Sequence, residues 1–129
     1  LLSADQSLFS LKSKSAVQTF IANVFHIPRV NVIQSSTGFS VEMLGRTGIE
    51  YREGDKVMFI EAEVGMTDVP TIAIWKDSIR GWKAPHDNEL VTEEKRVEIL
   101  KNICAAKRWR GTQVEIHSQA AGWVKGWLE

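Results

Sequence analysis

Between residues 15 and 25 the apolar positions Ala16, Val17, Phe20, Ile21, Val24 and Phe25 recur every three or four residues, a period that predicts a helix with one apolar stripe, stopped by Pro28. Beyond Pro28 the period changes. Runs at 31–34, 39–44, 49–52 and 57–64 are rich in β-branched and aromatic residues and are separated by Ser, Thr and Gly, which predicts a meander of strands. The clearest junction is Tyr51-Arg52-Glu53-Gly54-Asp55-Lys56-Val57, a short polar loop with a glycine between two alternating runs, as a hairpin requires. Past it, Met58, Ile60, Ala62 and Val64 face one side and Glu61 and Glu63 the other, so one face is core and the other wet.

Residues 71–75 predict a further strand after Pro70, and the polar stretch 76–88, with Gly81 and Pro85, predicts a loop with one helical turn. The strongest helix follows over 92–108. Thr92 is a good N-cap, Glu93 and Glu94 sit where the helix dipole favours anions, and Lys107 and Arg108 where it favours cations. Its buried stripe is read as Val97, Leu100 and Cys104, with Ile99 and Ile103 beside them. Gly111 closes it, and 113–117 reads as a last strand with Val114 and Ile116 inward. The sum is an α+β fold: a mainly antiparallel sheet of about five to six strands packed by two helices, with strand order open. The 129 residues carry no linker and no repeat, so a single domain is expected, its last residues 118–129 a tail.

Composition narrows the class. Sixteen basic residues balance sixteen acidic ones, which argues against a nucleic-acid partner and makes any electrostatic recognition local. It is indeed local: residues 49–94 hold five basic and eleven acidic groups, and 95–129 seven basic and three acidic. Glu61, Glu63, Asp68, Asp77, Asp87 and Glu89 are therefore the candidate acidic surface for a basic protein partner; a scattered solvated exterior explains the same acids. The lone Cys104 cannot form an internal disulfide, and no apolar run is long enough to span a membrane, so a cytoplasmic protein is expected. The chain opens on Leu1, the interrupted run 2–11 predicts no secretory leader, and Leu128 and Glu129 read as a tag remnant.

Signatures of catalysis are missing from the sequence: there is no phosphate-binding glycine loop, no GxSxG, no HExxH and no CxxC. His26, His86 and His117 lie far apart, so neither a metal nor a cofactor is expected, and Cys104 on its apolar stripe reads as core. Glu61 and Glu63 share a strand face and could act as a carboxylate pair, although alternating acids also mark any wet strand. The basic helix end, Lys101, Lys107, Arg108 and Arg110 with Trp109 for stacking, could hold nucleic acid, although the same charges complement the dipole. Of five tryptophans, Trp75 and Trp82 are read as core anchors, while Trp109, Trp123 and Trp127 are the candidates for exposure at a partner.

The hairpin from Ile49 to Val57, the strand ending near Trp75, the segment Trp82-Lys83-Ala84-Pro85-His86-Asp87, and Val91-Thr92-Glu93-Glu94-Lys95 opening a helix through Ile99 and Ile103 together resemble a family of bacterial immunity proteins from polymorphic toxin systems, immunity protein 74. The likeness covers 49–117; residues 1–48, with the first helix and strands, fit it less well. It implies a non-enzymatic protein made beside a secreted toxin, which it binds and neutralises in the cytosol of the producing cell or its kin. No toxin-binding residue carries over from the family. Two rival readings stay open, a small enzyme using Glu61 or Glu63 and a nucleic-acid-binding module on the basic helix end.

Overall fold

The strands stand side by side in the order of the chain. In a computed structural model, which describes residues 24–66 and 68–118, the elements are β1 (Phe25–Arg29), β2 (Val32–Ser35), β3 (Phe39–Met43), β4 (Thr47–Glu53), β5 (Lys56–Met66), β6 (Pro70–Trp75), a 3-10 turn (Lys76–Ser78), α1 (Glu93–Trp109) and β7 (Gln113–His117). β1 to β6 form an antiparallel meander, and β7 joins the far edge parallel to β6. A parallel neighbour cannot be reached by a tight turn, and here the return path runs through α1.

Alternation sets which face is core. Val41 pairs with Tyr51, Tyr51 with Met58, Ile49 with Ile60 and Ala62 with Ile74, and every one of these is buried. α1 covers this inner face with Ile99, Ile103 and Ala106. Its start is fixed by Thr92, whose hydroxyl accepts from the Lys95 N–H at 3.1 Å. Its end is fixed by Gly111, whose φ of +86° is the left-handed turn that lets the Thr112 N–H reach the Lys107 carbonyl at 2.9 Å.

The loop between β6 and α1 solves a problem created by unequal strand lengths. β5 has 11 residues but pairs with β6 only from Ala62 onward, so the other half of that edge lacks a strand. The loop supplies what is missing: the Glu61 N–H donates to Ser78 Oγ at 2.8 Å, and the Lys83 N–H donates to the Val57 carbonyl at 2.7 Å. Between these points Trp82 drops into the core, 4% exposed, its ring 6.3 Å from that of Tyr51. The reading of Trp82 as an anchor holds.

Several expectations are corrected. The sheet has seven strands among the described residues, not five or six, and one α-helix packs on it, not two. Residues 15–23 of the expected first helix lie outside the described residues, but Phe25, its last position, opens β1, followed by His26 and Pro28. An edge strand tolerates proline because one side of it needs no N–H donors, so Pro28 sits in β1, at its bulge, and does not stop a helix. On α1 the buried line is Ile99, Ile103, Ala106 and Lys107; Val97 is exposed and Cys104 half-buried. Ile116 pairs with Ile74 as an inward residue would, yet stays exposed at the sheet edge. Trp75 lies on the outer face and is not a core anchor. Trp123 and Trp127 lie outside the described residues.

Candidate functional site

The face of the sheet opposite α1 is where the acids gather. Glu61 and Glu63 fall there because they alternate with the buried Ile60 and Ala62. Register then adds a third: Glu63 pairs with Ala73 on β6, and Ala73 with Glu115 on β7, so the two carboxylates flank one alanine, with backbones about 10 Å apart. The small side chain between them leaves a hollow of about 280 Å³, lined by Glu63, Val64, Gly65, Thr71, Ala73 and Glu115. A second hollow of about 270 Å³ adjoins it, lined by Thr47, Gly48, Phe59, Glu61, Ala62, Glu63 and Trp75. Glu63 is common to both, so they form one trough.

Glycine at position 48 shapes this trough. Its φ is +105° at the irregularity between Thr47 and Ile49, and a Cβ there would come within 2.6 Å of the Phe59 ring. The ring therefore lies across the glycine and remains 44% exposed, an apolar wall beside the carboxylates. Trp75 forms the other wall, stacked at 5.8 Å on His117.

The charges of this face differ in how far they are answered. Glu50 is partly desolvated, which raises its pKa, but Lys83 at 3.2 Å and Arg52 at 2.6 Å outweigh that and hold it below the usual carboxylate range. Glu115 faces His117 Nε2 at 3.1 Å. Glu63 is exposed and has no ion pair among the described residues.

The other predicted acids do not join this trough. Asp68 is exposed in the turn between β5 and β6, and Asp77, two residues beyond Trp75, accepts from the Ser118 hydroxyl at 3.0 Å. Glu89 pairs with Lys56 at the first residue of β5, with Asp87 exposed nearby in the chain. Ten strand residues, about 33 Å, separate that end of β5 from the Asp68 turn, so no single surface holds all six. Glu115 was missed by sequence reasoning, because only the parallel β6–β7 pairing brings it beside Glu63.

The basic helix end also divides. Lys107 is buried, and Trp109 lays part of its ring on Phe25 at 5.6 Å, so Lys107 and Trp109 do not line up with Arg108 and Arg110 as one stacking platform. The Cys104 thiol is pushed up by burial, against the pull of Arg108. His26 is exposed, His86 lies 3.4 Å from Asp55, and no cluster of three or more His, Cys, Asp or Glu suited to a metal occurs among the described residues.

Set against known protein families, residues 40–117 match the family model of Immunity protein 74. The chain belongs to the Immunity protein 74 family. The matched span of this family member runs from β3 through β7, and so contains the trough, α1 and the loop anchored by Trp82. Membership implies a toxin as partner and neutralisation of that toxin as the role, in a class of proteins that is typically non-enzymatic. No curated protein and no solved structure matches the chain. Among the described residues no helix is long and apolar enough to cross a membrane.

Proposed function

We propose that this chain binds and neutralises the cognate toxin of a secreted bacterial polymorphic-toxin effector, acting in the cytosol as a single domain, and that the toxin docks on the outer sheet face. The observation that carries the reading is the trough itself: Glu61 and Glu63 share one hollow with the aromatic rings of Phe59 and Trp75, and Glu63 shares the adjoining hollow with Glu115 across Ala73. Carboxylates on a concave surface steer a basic surface toward it, and such a surface is expected on a toxin whose substrate is nucleic acid. The exposed Phe59 ring supplies apolar contact that slows dissociation once the toxin is seated. Asp77 lies two residues beyond Trp75, outside the trough, and accepts from the Ser118 hydroxyl. Asp68, Asp87 and Glu89 sit at the sheet's ends and act at most on the long-range approach.

Stopped-flow association with the cognate toxin at several salt concentrations tests this. Glu61→Lys with Glu63→Lys slows association at least tenfold at low salt and flattens the salt dependence, while the far-UV spectrum and the denaturation midpoint stay near those of the parent. Wild-type rates at every salt concentration in a folded double variant exclude the trough as the docking face.

A further inference from the structure

On the inner side of the sheet, where β1, β2 and β3 meet the last turn of α1, a separate pocket of about 180 Å³ is walled by Ile27, Val32, Ile33 and Met43, with Lys107 and Arg110 on its helix side and Asn31 at its turn. Lys107 is 8% exposed, yet its ammonium has no hydrogen bond and no ion pair among the described residues. The local sequence explains the vacancy of charge. β1 and β2 contain no acid, α1 has none after Glu98, and the one acid of β3, Glu42, is held by Arg29 at 3.1 Å. A lysine this deeply set loses much of the hydration of its charge, and Arg110 adds a like charge beside it. The strain registers on the lysine, whose pKa is pushed down to about 8 by burial first and by Arg110 second.

We propose that this pocket is a binding site for a carboxylate carried on a short aliphatic stem, its two oxygens taken by Lys107 and Arg110 and its stem by Ile27, Ile33 and Met43. The walls select the class. Two cations match the two oxygens of a carboxylate, and apart from Asn31 at the turn the remaining walls are aliphatic, which suits an apolar stem better than the further charged oxygens of a phosphate. The ligand is either a free branched acid or the C-terminal carboxylate of a peptide ending in an aliphatic residue. The site is independent of the outer trough and of the toxin reading, since it lies on the other side of the sheet and its probes are small molecules.

The experiment is a titration of the full chain followed by amide and lysine-ammonium NMR shifts, with isovalerate, isoamyl alcohol, inorganic phosphate, and acetyl-Gly-Val with a free or an amidated terminus. Saturable shifts with isovalerate at Ile27, Ile33 and Met43 are expected, at least tenfold weaker for the alcohol and for phosphate. Lys107→Met and Arg110→Gln each weaken isovalerate at least tenfold; Arg110 is exposed, so its variant removes one cation without touching the packing of the helix on the sheet. Tighter binding of the free-acid peptide than of isovalerate assigns the site to a chain terminus, and the reverse order to a free acid. Equal binding of acid and alcohol, unchanged affinity in both variants, preference for phosphate, or the absence of saturation overturns the proposal.

Discussion

The two ends of α1 treat charge in opposite ways. Near its start, Lys95 is held by Glu53 at 2.7 Å and by Glu98 at 3.2 Å, and although burial alone would lower its pKa these two partners raise it. Arg96 pairs with Glu93 at 3.1 Å and donates to the Ile79 carbonyl at 3.1 Å. About two turns further, Asn102 donates to Tyr51 Oη at 2.8 Å, and that hydroxyl donates to Glu53 at 2.8 Å, so a continuous polar chain ties helix to sheet. At the last turn Lys107 is more deeply buried than Lys95 and has no partner among the described residues. A satisfied network fixes how α1 lies on the sheet; an unsatisfied charge in a pocket lowers stability and leaves affinity available for a ligand.

The largest expected effect falls at the satisfied end. Trp82→Ala empties a buried indole site against Tyr51, under the Lys56 ammonium 5.6 Å from the ring, and frees the loop that covers the edge of β5. A loss of roughly 3 to 5 kcal/mol in urea denaturation is expected. An unchanged midpoint shows that the ring contributes little packing there.

At the unsatisfied end the sign reverses. Lys107→Met keeps the chain length and removes the buried charge, and a gain of about 3 kcal/mol at pH 7 is expected. In the folded protein the ammonium holds its proton only to about pH 8, against 10.5 for the ordinary lysine, so between those values the unfolded chain binds more protons and stability rises with pH. Below pH 8 both states are protonated and the penalty is constant. Cys104 and Tyr51, whose pKa values are pushed up by burial, oppose this rise in both proteins and cancel in the difference. The advantage of Lys107→Met over the parent therefore shrinks from pH 8 to pH 10; a constant difference across that range means the lysine is solvated.

Tyr51→Phe tests the polar chain between the two ends. It leaves the Asn102 amide without its acceptor and Glu53 without one donor in a part-buried place, at a cost of about 2 kcal/mol. A much smaller loss shows that water replaces the hydroxyl, and that packing alone seats the helix.

Legibility in the sequence follows the same division between local and distant causes. β2 to β7 and the bounds of α1 were readable because alternation, Gly54 in the hairpin and the Thr92 cap are local signals. β1 was not, since Val24 and Phe25 fit the end of a three-to-four-residue period and Pro28 reads as a stop unless the strand is known to be an edge. The buried stripe of α1 was legible in part: Ile99 and Ile103 are buried as read and Leu100 packs against the core, whereas Val97 and Cys104 lie on the adjacent apolar stripe, and only packing on the sheet chooses between the two. In the trough, Glu61 and Glu63 followed from period two, whereas Glu115 needed the parallel pairing across Ala73. The pocket at Lys107 was hidden for a sharper reason: a lysine in the last turn of a helix complements the dipole, which accounts for its charge without any cavity.

The smallest effect concerns the cap that starts the satisfied end. Thr92→Ala removes the hydroxyl that accepts from the Lys95 N–H, one of the donors that the helix itself cannot satisfy. A loss of about 1 kcal/mol is expected, with Thr92→Ser close to neutral because it retains the oxygen. The position of the cap makes the experiment more than a helix test. Lys95 is also the residue whose ammonium bonds Glu53 and Glu98, so loosening its backbone should weaken both ion pairs. Combined with Tyr51→Phe, the double variant should therefore lose less than the two single losses added together, because each disturbs the same link between α1 and β4. Strict additivity in urea denaturation would mean that the cap and the Asn102–Tyr51–Glu53 chain act separately, and that the matched charges at this end are neighbours without being coupled.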